Sequence, residues 1–224
     1  MRRQEQYREI LQKHLPEYIQ AADETYDAYI RKNPNASVMY TTTSYVIAPM
    51  LHAYVKWVLD DAVNRKIKRL YFLSRDGYQM LEAARLLDAE KFYNIELRYL
   101  HCSRYAFEIP SNHLRKDYMN RICSGGKAVY VEDVLRRGGL TEQEAETVIK
   151  SDSGLYRLSQ KKEALSYRQI RELRHELLRN TYFCRLVMEH SRKAYPACIG
   201  YLRQEGLLDP ISCAVVDSGW TGGM

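Results

Sequence analysis

The chain has few residues that cross-link or bind metals, and it has no long apolar segment. Its 224 residues contain five cysteines, and no two of them have Cys-x-x-Cys spacing. This pattern excludes a disulfide framework and a zinc site, so we expect buried free thiols. The longest apolar stretch, residues 46–59, carries His52 and Lys56 and is too short to span a membrane. With a polar N-terminus, it predicts a cytoplasmic protein without membrane insertion.

Glycine and proline are also scarce. The chain has 11 Gly and 6 Pro, and its 46% hydrophobic and 28% charged residues are typical of a globular protein. Disordered and collagen-like classes are therefore excluded. The net charge is +6, and the basic excess lies mostly in residues 151–193. A solvated helix face is the usual cause of such an excess, and a phosphate-rich partner is the alternative.

Short apolar runs predict three buried strands, at residues 69–73, 95–100 and 211–216. A polar loop follows each run, and helical spacing over residues 78–87 separates the first two. Buried strands that alternate with helices are typical of a parallel sheet. The predicted fold class is α/β, with a Rossmann-like parallel sheet flanked by helices.

Helical spacing accounts for the rest of the chain. Pro16 is placed to begin a second N-terminal helix, and residues 33–37 predict a loop. A long helix is expected over residues 161–194. Because the chain stops at Met224, directly after a strand loop, we expect the α/β core to be truncated at its C-terminus. The predicted domains are an N-terminal helical arm at 1–44, an α/β core at 45–104 and 211–224, and a helical insertion or cap at 105–210.

Polar residues and glycines follow each predicted strand. The carboxyl ends of parallel strands meet at one edge of a sheet, so we expect these loops to form a ligand crevice. Arg75 and Arg104 carry guanidinium groups that suit phosphate. Asp76 and Asp217 are the candidate catalytic residues, as nucleophile or base, and they suggest Mg²⁺ as a cofactor. The alternative is that Ser74 or Asp76 only caps the next helix and that Arg75 pairs with an acid. The candidate substrate-binding residues are Ser74, Arg75, Gly77, Ser103, Arg104, Ser218, Gly219, Thr221 and Gly222.

The loop after the third predicted strand is similar to two known phosphate-binding motifs. Asp217, Gly219 and Thr221 resemble the Asp-x-Asp-x-Thr motif of haloacid-dehalogenase-like phosphatases, in which the first Asp attacks phosphorus and the second is the general acid. Gly219 stands at the place of that second Asp. The stretch is also similar to the ribose-phosphate loop of type I phosphoribosyltransferases, which usually has two adjacent acids where this chain has Asp217 alone.

A longer resemblance covers the chain from about residue 45 to its end. Residues 67–78 (IKRLYFLSRDGY), 98–105 (RYLHCSRY) and 215–222 (VVDSGWTG) resemble, in this order, a bacterial family of predicted haloacid-dehalogenase-like hydrolases linked to cell-surface polysaccharide genes. This chain resembles the region downstream of the family's phosphatase-like domain. The resemblance implies a role in polysaccharide biosynthesis. The expected ligand is a phosphorylated sugar or nucleotide sugar, and the expected reaction is hydrolysis or transfer of a phosphoryl or glycosyl-phosphate group.

Three alternatives stay open. Gly219 in place of an acid favours a non-catalytic scaffold that docks a glycosyltransferase or phosphatase, and the loop likeness allows a phosphoribosyltransferase-like enzyme. The helix–turn–helix-like residues 131–150 suggest a nucleic-acid-binding regulator. Glu142, Glu144 and Glu146 would repel phosphates there, and acids are interspersed among the basic residues that follow. The sequence therefore argues against a nucleic-acid partner.

Overall fold

The computed structural model of the chain describes residues 3–126 and 128–219. These residues form two compact units. The first, which we call the sheet unit, contains the residues up to His101 together with Pro210–Gly219. The second, which we call the helical unit, is Cys102–Asp209. The separate N-terminal arm stays a prediction.

The sheet unit is built on three parallel strands: β1 (Arg69–Leu73), β2 (Glu96–Leu100) and β3 (Cys213–Val216). Their order is β2-β1-β3, and both neighbouring pairs are parallel. All five residues of β1 are buried, because β1 is the central strand and is covered on both faces. The predicted α/β class with a parallel sheet is confirmed.

Six α-helices and one short π-helix, Thr43–Ile47, are described in the sheet unit. Val55 and Leu59 of the longest one pack with Phe72 of the central strand in one apolar core. A second, smaller core lies among the N-terminal helices and includes Leu11 and Tyr45. The α-helices are α1 (Arg3–His14), α2 (Ile19–Lys32), α3 (Ser37–Thr42), α4 (Ala48–Asn64), α5 (Gly77–Leu86) and α6 (Ala89–Phe92).

The connections between the N-terminal helices confirm one prediction and correct another. Pro16–Tyr18 forms a 3₁₀ turn that leads into α2, so Pro16 begins the second helical segment as predicted. The loop predicted at residues 33–37 is wrong, because Pro34–Ala36 is a 3₁₀ turn and α3 starts at Ser37. The fixed φ of proline suits a first helical turn, and here it outweighs the turn signal of the flanking asparagines.

The helical unit contains seven helices and, among its described residues, no strand. Leu135, Leu173 and Phe183 are each fully buried in its apolar core. Its helices are α7 (Arg104–Ser111), α8 (Tyr118–Ile122), α9 (Val131–Arg137), α10 (Glu142–Lys150), α11 (Ser153–Ser159), α12 (Tyr167–Arg179) and α13 (Thr181–Gln204).

Two sequence predictions in this unit have different outcomes. The capping box at Thr141 is confirmed, since its side chain and that of Glu144 each bond the other's backbone N–H. The prediction of one long helix over 161–194 is wrong, because the helix is interrupted at Asn180, between α12 and α13. The Asn180 side chain accepts a hydrogen bond from the Phe183 N–H at 2.9 Å and so caps the new helix.

The cysteines and the helix lengths bear on two further expectations. All five cysteines, each within the described residues, are free, but only Cys123 is buried and the other four are partly exposed. The expectation of buried thiols is therefore wrong for those four. Among residues 3–126 and 128–219, every helix is too short or too polar to cross a membrane.

Candidate functional site

The loop after β1 turns sharply into α5. The Ser74 N–H donates to the Leu100 carbonyl at 2.9 Å and extends the pairing of β1 with β2 by one residue. Gly77, the first residue of α5, is buried, and a Cβ there would lie 2.8 Å from the carbonyl carbon of Phe72. The chain can turn this tightly only because Gly77 has no side chain. The turn consequently places Arg75 and its neighbours at the carboxyl end of β1.

Asp76 links this loop to the loop after β3. It occupies the N-cap position of α5, yet its side chain makes no capping hydrogen bond to the helix. Its carboxylate instead accepts a hydrogen bond from the Ser218 hydroxyl at 3.2 Å. Because β3 is the neighbour of β1 in the sheet, this bond joins two loops at one edge. The interpretation of Asp76 as a helix cap alone does not describe its side chain.

The Arg75 side chain extends into solvent. It is 97% exposed, and its Nε lies 4.0 Å from Asp76 Oδ1. An exposed ion pair at this distance contributes little to stability, so it does not hold the guanidinium in one place. The first backbone N–H groups of α5 lie just beyond Arg75 in the sequence, and helix N-termini favour anions. This end of β1 therefore combines two kinds of group that attract phosphate.

Asp217 follows β3 directly and is positioned through its backbone. The Tyr54 hydroxyl of α4 donates to the Asp217 carbonyl at 3.3 Å. Burial raises the pKa of the Tyr54 phenol, and the negative charge of Asp217 raises it further, so the hydroxyl stays a donor at neutral pH. A Cβ on Gly219 would lie 2.5 Å from Asp217 Oδ2. The glycine thus leaves room for the carboxylate.

Tyr54 is the site residue that the sequence does not reveal. It falls in the apolar stripe of α4, where a tyrosine is most simply explained as a packing residue. Its role depends on the distance between α4 and the end of β3, which no local pattern specifies. The only sequence signal is the excess of tyrosine, 19 against 4 phenylalanines, which predicts rings with partnered hydroxyls somewhere in the fold.

The remaining candidate residues belong to the helical unit or fall outside the described residues. The Ser103 hydroxyl accepts a hydrogen bond from the Ala106 N–H at 3.1 Å and caps α7, in the helical unit. Arg104 is the first residue of that helix. Thr221 and Gly222 lie outside the described residues. The structure therefore brings together the candidates at Ser74–Gly77 and Asp217–Gly219, all in the sheet unit.

The two loops can bind an anion and orient hydroxyl groups. Arg75 and the start of α5 supply positive charge, while Asp76 and Asp217 supply carboxylates that accept hydrogen bonds. Within residues 3–126 and 128–219, no group of three or more His, Cys, Asp or Glu side chains is placed to hold a metal ion.

Comparison with known proteins adds no relative to this description. No protein-family model matches the chain, and no curated protein matches it significantly. The geometry of the two loops and the sequence motifs that form them are what bears on function.

Proposed function

We propose that the sheet unit is a Rossmann-like domain that binds a phosphorylated sugar or nucleotide sugar at the loops after β1 and β3. The hydrogen bond between Ser218 and Asp76, at 3.2 Å, carries this proposal. It joins two polar loops at the carboxyl edge of neighbouring parallel strands, where open α/β sheets bind their ligands. On this proposal, residues 102–209 are a helical insertion or cap between the second and third strands.

The polar groups of the two loops favour a ligand that has both phosphate and hydroxyl groups. Arg75 is free to form paired hydrogen bonds with phosphate oxygens. Asp76 and Asp217 repel a bare phosphate but accept hydrogen bonds from sugar hydroxyls. A phosphosugar satisfies both requirements, whereas inorganic phosphate satisfies only the first. Ser103, Arg104, Thr221 and Gly222 stay candidate substrate-binding residues.

As an enzyme, this site would transfer a phosphoryl or glycosyl-phosphate group, or hydrolyse its ester. Asp217 would act as nucleophile, and Arg75 would stabilise the charge that develops on phosphate. The resemblance to haloacid-dehalogenase-like hydrolases supports this reaction class and a role in cell-surface polysaccharide biosynthesis. Mg²⁺ commonly binds through one or two carboxylates and the substrate's phosphates, so Asp76 and Asp217 would hold it and it would neutralise phosphate charge.

A thermal-shift screen tests the binding proposal. The chain is melted with phosphosugars, nucleotide sugars, phosphoribosyl pyrophosphate and inorganic phosphate, each with and without Mg²⁺. A ligand at a hundredfold excess over its Kd stabilises the folded state by about 2.7 kcal/mol. At about 2–4 °C for each kcal/mol in a chain of this size, the expected rise in Tm is about 5–10 °C.

Three variants identify the site. Arg75→Ala and Asp217→Asn should abolish the shift without changing the Tm of the unliganded protein, because the Arg75 side chain is exposed and Asp217 is partly exposed. Arg31→Ala removes another exposed arginine, from α2, and should keep the shift. A shift that survives in both loop variants would place the ligand elsewhere. No shift with any ligand in the folded chain would favour the non-catalytic scaffold.

A further inference from the structure

Helix α12 presents a row of basic side chains to solvent. Every residue of this helix is described, and its exposed side chains include no acid: they are Tyr167, Arg168, Arg171, His175, Leu178 and Arg179. The basic ones are spaced by three, four and four residues, so they lie on one side of the helix. At 1.5 Å per residue, the row is about 16 Å long.

The core of the helical unit fixes the orientation of this row. Ile170, Leu173 and Leu177 of α12 are buried on the opposite side of the helix. A capping box formed by Ser166 and Gln169 sets the start of the helix. The basic side chains therefore project from a rigid helix rather than from a loop.

The acids of α12 do not neutralise its exposed arginines. Glu172 is partly buried and forms an ion pair with Arg157 of α11. Glu176 is partly buried and lies 3.8 Å from His175 Nδ1. No hydrogen bond or ion pair with a described residue engages the side chains of the three exposed arginines, which are Arg168, Arg171 and Arg179. Acids and bases that alternate along the sequence of α12 are thus separated in space, which removes one of the two sequence arguments against a nucleic-acid partner, that from interspersed acids.

We propose that this row binds the phosphate backbone of a single-stranded nucleic acid. Guanidinium groups match phosphate geometry, and a row one residue wide fits a chain of phosphates. Tyr167, at the N-terminal end of the helix, is 78% exposed and offers a ring on which a base can stack. The surface lies in the helical unit, so it is independent of the ligand proposed for the sheet unit.

An anionic membrane is the less favourable partner for the same charges. A helix that lies on a membrane inserts an apolar face into the lipid boundary, but the apolar face of α12 is already in the protein core. Leu178 is the one exposed aliphatic residue of this helix, whose residues are all described. A flat lipid surface would also engage a broad basic patch rather than a single row.

Fluorescence anisotropy with a short labelled oligouridine tests the proposal. Each phosphate contact on a single strand contributes about −0.7 to the slope of log K against log[salt], so three arginines predict a slope of about −2. Arg168→Gln/Arg171→Gln/Arg179→Gln should bring the slope close to zero and weaken binding at about 50 mM salt by tenfold or more. Tyr167→Ala should weaken binding by about tenfold and leave the slope unchanged.

A second triple variant controls for net charge. Arg192→Gln/Lys193→Gln/Arg203→Gln removes the same charge from exposed positions of α13, and it should keep the affinity and the slope. Circular dichroism would show that each variant retains the wild-type helix content. No binding at about 50 mM salt, an equal loss in the α13 variant, or tighter binding to anionic phospholipid vesicles than to the oligonucleotide would each overturn the proposal.

Discussion

The missing side chain of Gly77 determines how β1 turns into α5. Gly77→Ala would place a methyl group 2.8 Å from the backbone of Phe72, where neither atom can move without displacing β1. We expect the free energy of unfolding to fall by about 1–3 kcal/mol, measured by urea denaturation.

Gly200→Ala is the matched control for this substitution. A Cβ at Gly200, inside α13, meets no atom within 4 Å. Since alanine favours a helix more than glycine does, the free energy of unfolding should rise by up to about 1 kcal/mol. Equal changes in the free energy of unfolding for the two substitutions would show that the close approach of Gly77 to Phe72 does not require glycine.

At this scale the sequence predicted which loops of the sheet unit carry polar groups, but not how each side chain is used. The predicted strand ends were enough to place Asp76 and Ser218 close together, because neighbouring parallel strands end at the same edge of a sheet. The structure has a hydrogen bond between these two side chains. Ser103 has the same local signature as Ser74, yet its hydroxyl caps α7. Whether a serine caps a helix or faces a ligand depends on φ, ψ and the direction of the next helix, which neighbouring residues do not determine.

Asn180 separates two elements that the apolar spacing joins. Its side chain accepts the Phe183 N–H at 2.9 Å, and Asn180→Ala would leave that N–H without its cap. We expect a loss of about 1 kcal/mol in the free energy of unfolding, while Asn180→Asp should keep the cap and lose only the exposed hydrogen bond that the Asn180 amide donates to the Ser151 hydroxyl at 3.0 Å. Denaturant unfolding of the two variants checks this. Equal losses would mean that the cap does not hold the start of α13.

The elements that have a distinctive local sequence pattern were the most predictable. The three strands, α4 and the Thr141 capping box follow from runs of apolar residues or from a specific hydrogen-bonding pair. The break at Asn180 was missed because apolar residues continue on both sides of it, up to Leu177 and again from Phe183. These two residues are six apart, which departs from the helical repeat, so the change of phase is the sequence signal for two helices that enter the same core.

The helical unit has a complete core of its own. All buried residues of that core lie between Met119 and Val187, on one continuous segment of the chain. We therefore expect residues 102–209, expressed alone, to show helical circular dichroism and a cooperative thermal transition.

Leu173→Ala provides the comparison for that fragment. Leu173 is fully buried, so its truncation should lower the free energy of unfolding by about 2–5 kcal/mol. A fragment that melts without cooperativity, and whose melting Leu173→Ala does not change, would show that this core does not suffice.

The net charge of the whole molecule follows from its sequence, but the positions of the charges on its surface do not. The net charge of +6 gives no indication that α12 exposes arginines while its acids are partly buried. That separation depends on which side of α12 enters the core, together with the position of Arg157 on another helix. Local net charge averages over both sides of a helix and so underestimates the field at one surface.

The strand order β2-β1-β3 also has a consequence for biosynthesis. More than a hundred residues separate Leu100 from Cys213 in the chain, although both strands flank β1. At about 5–20 residues per second, a ribosome makes β3 roughly 6–22 s after β2. During that interval one side of β1 has no strand beside it, while the whole helical unit emerges and can fold. A nascent chain is therefore most exposed to aggregation at β1, and a chaperone that shields this strand would protect it until β3 arrives.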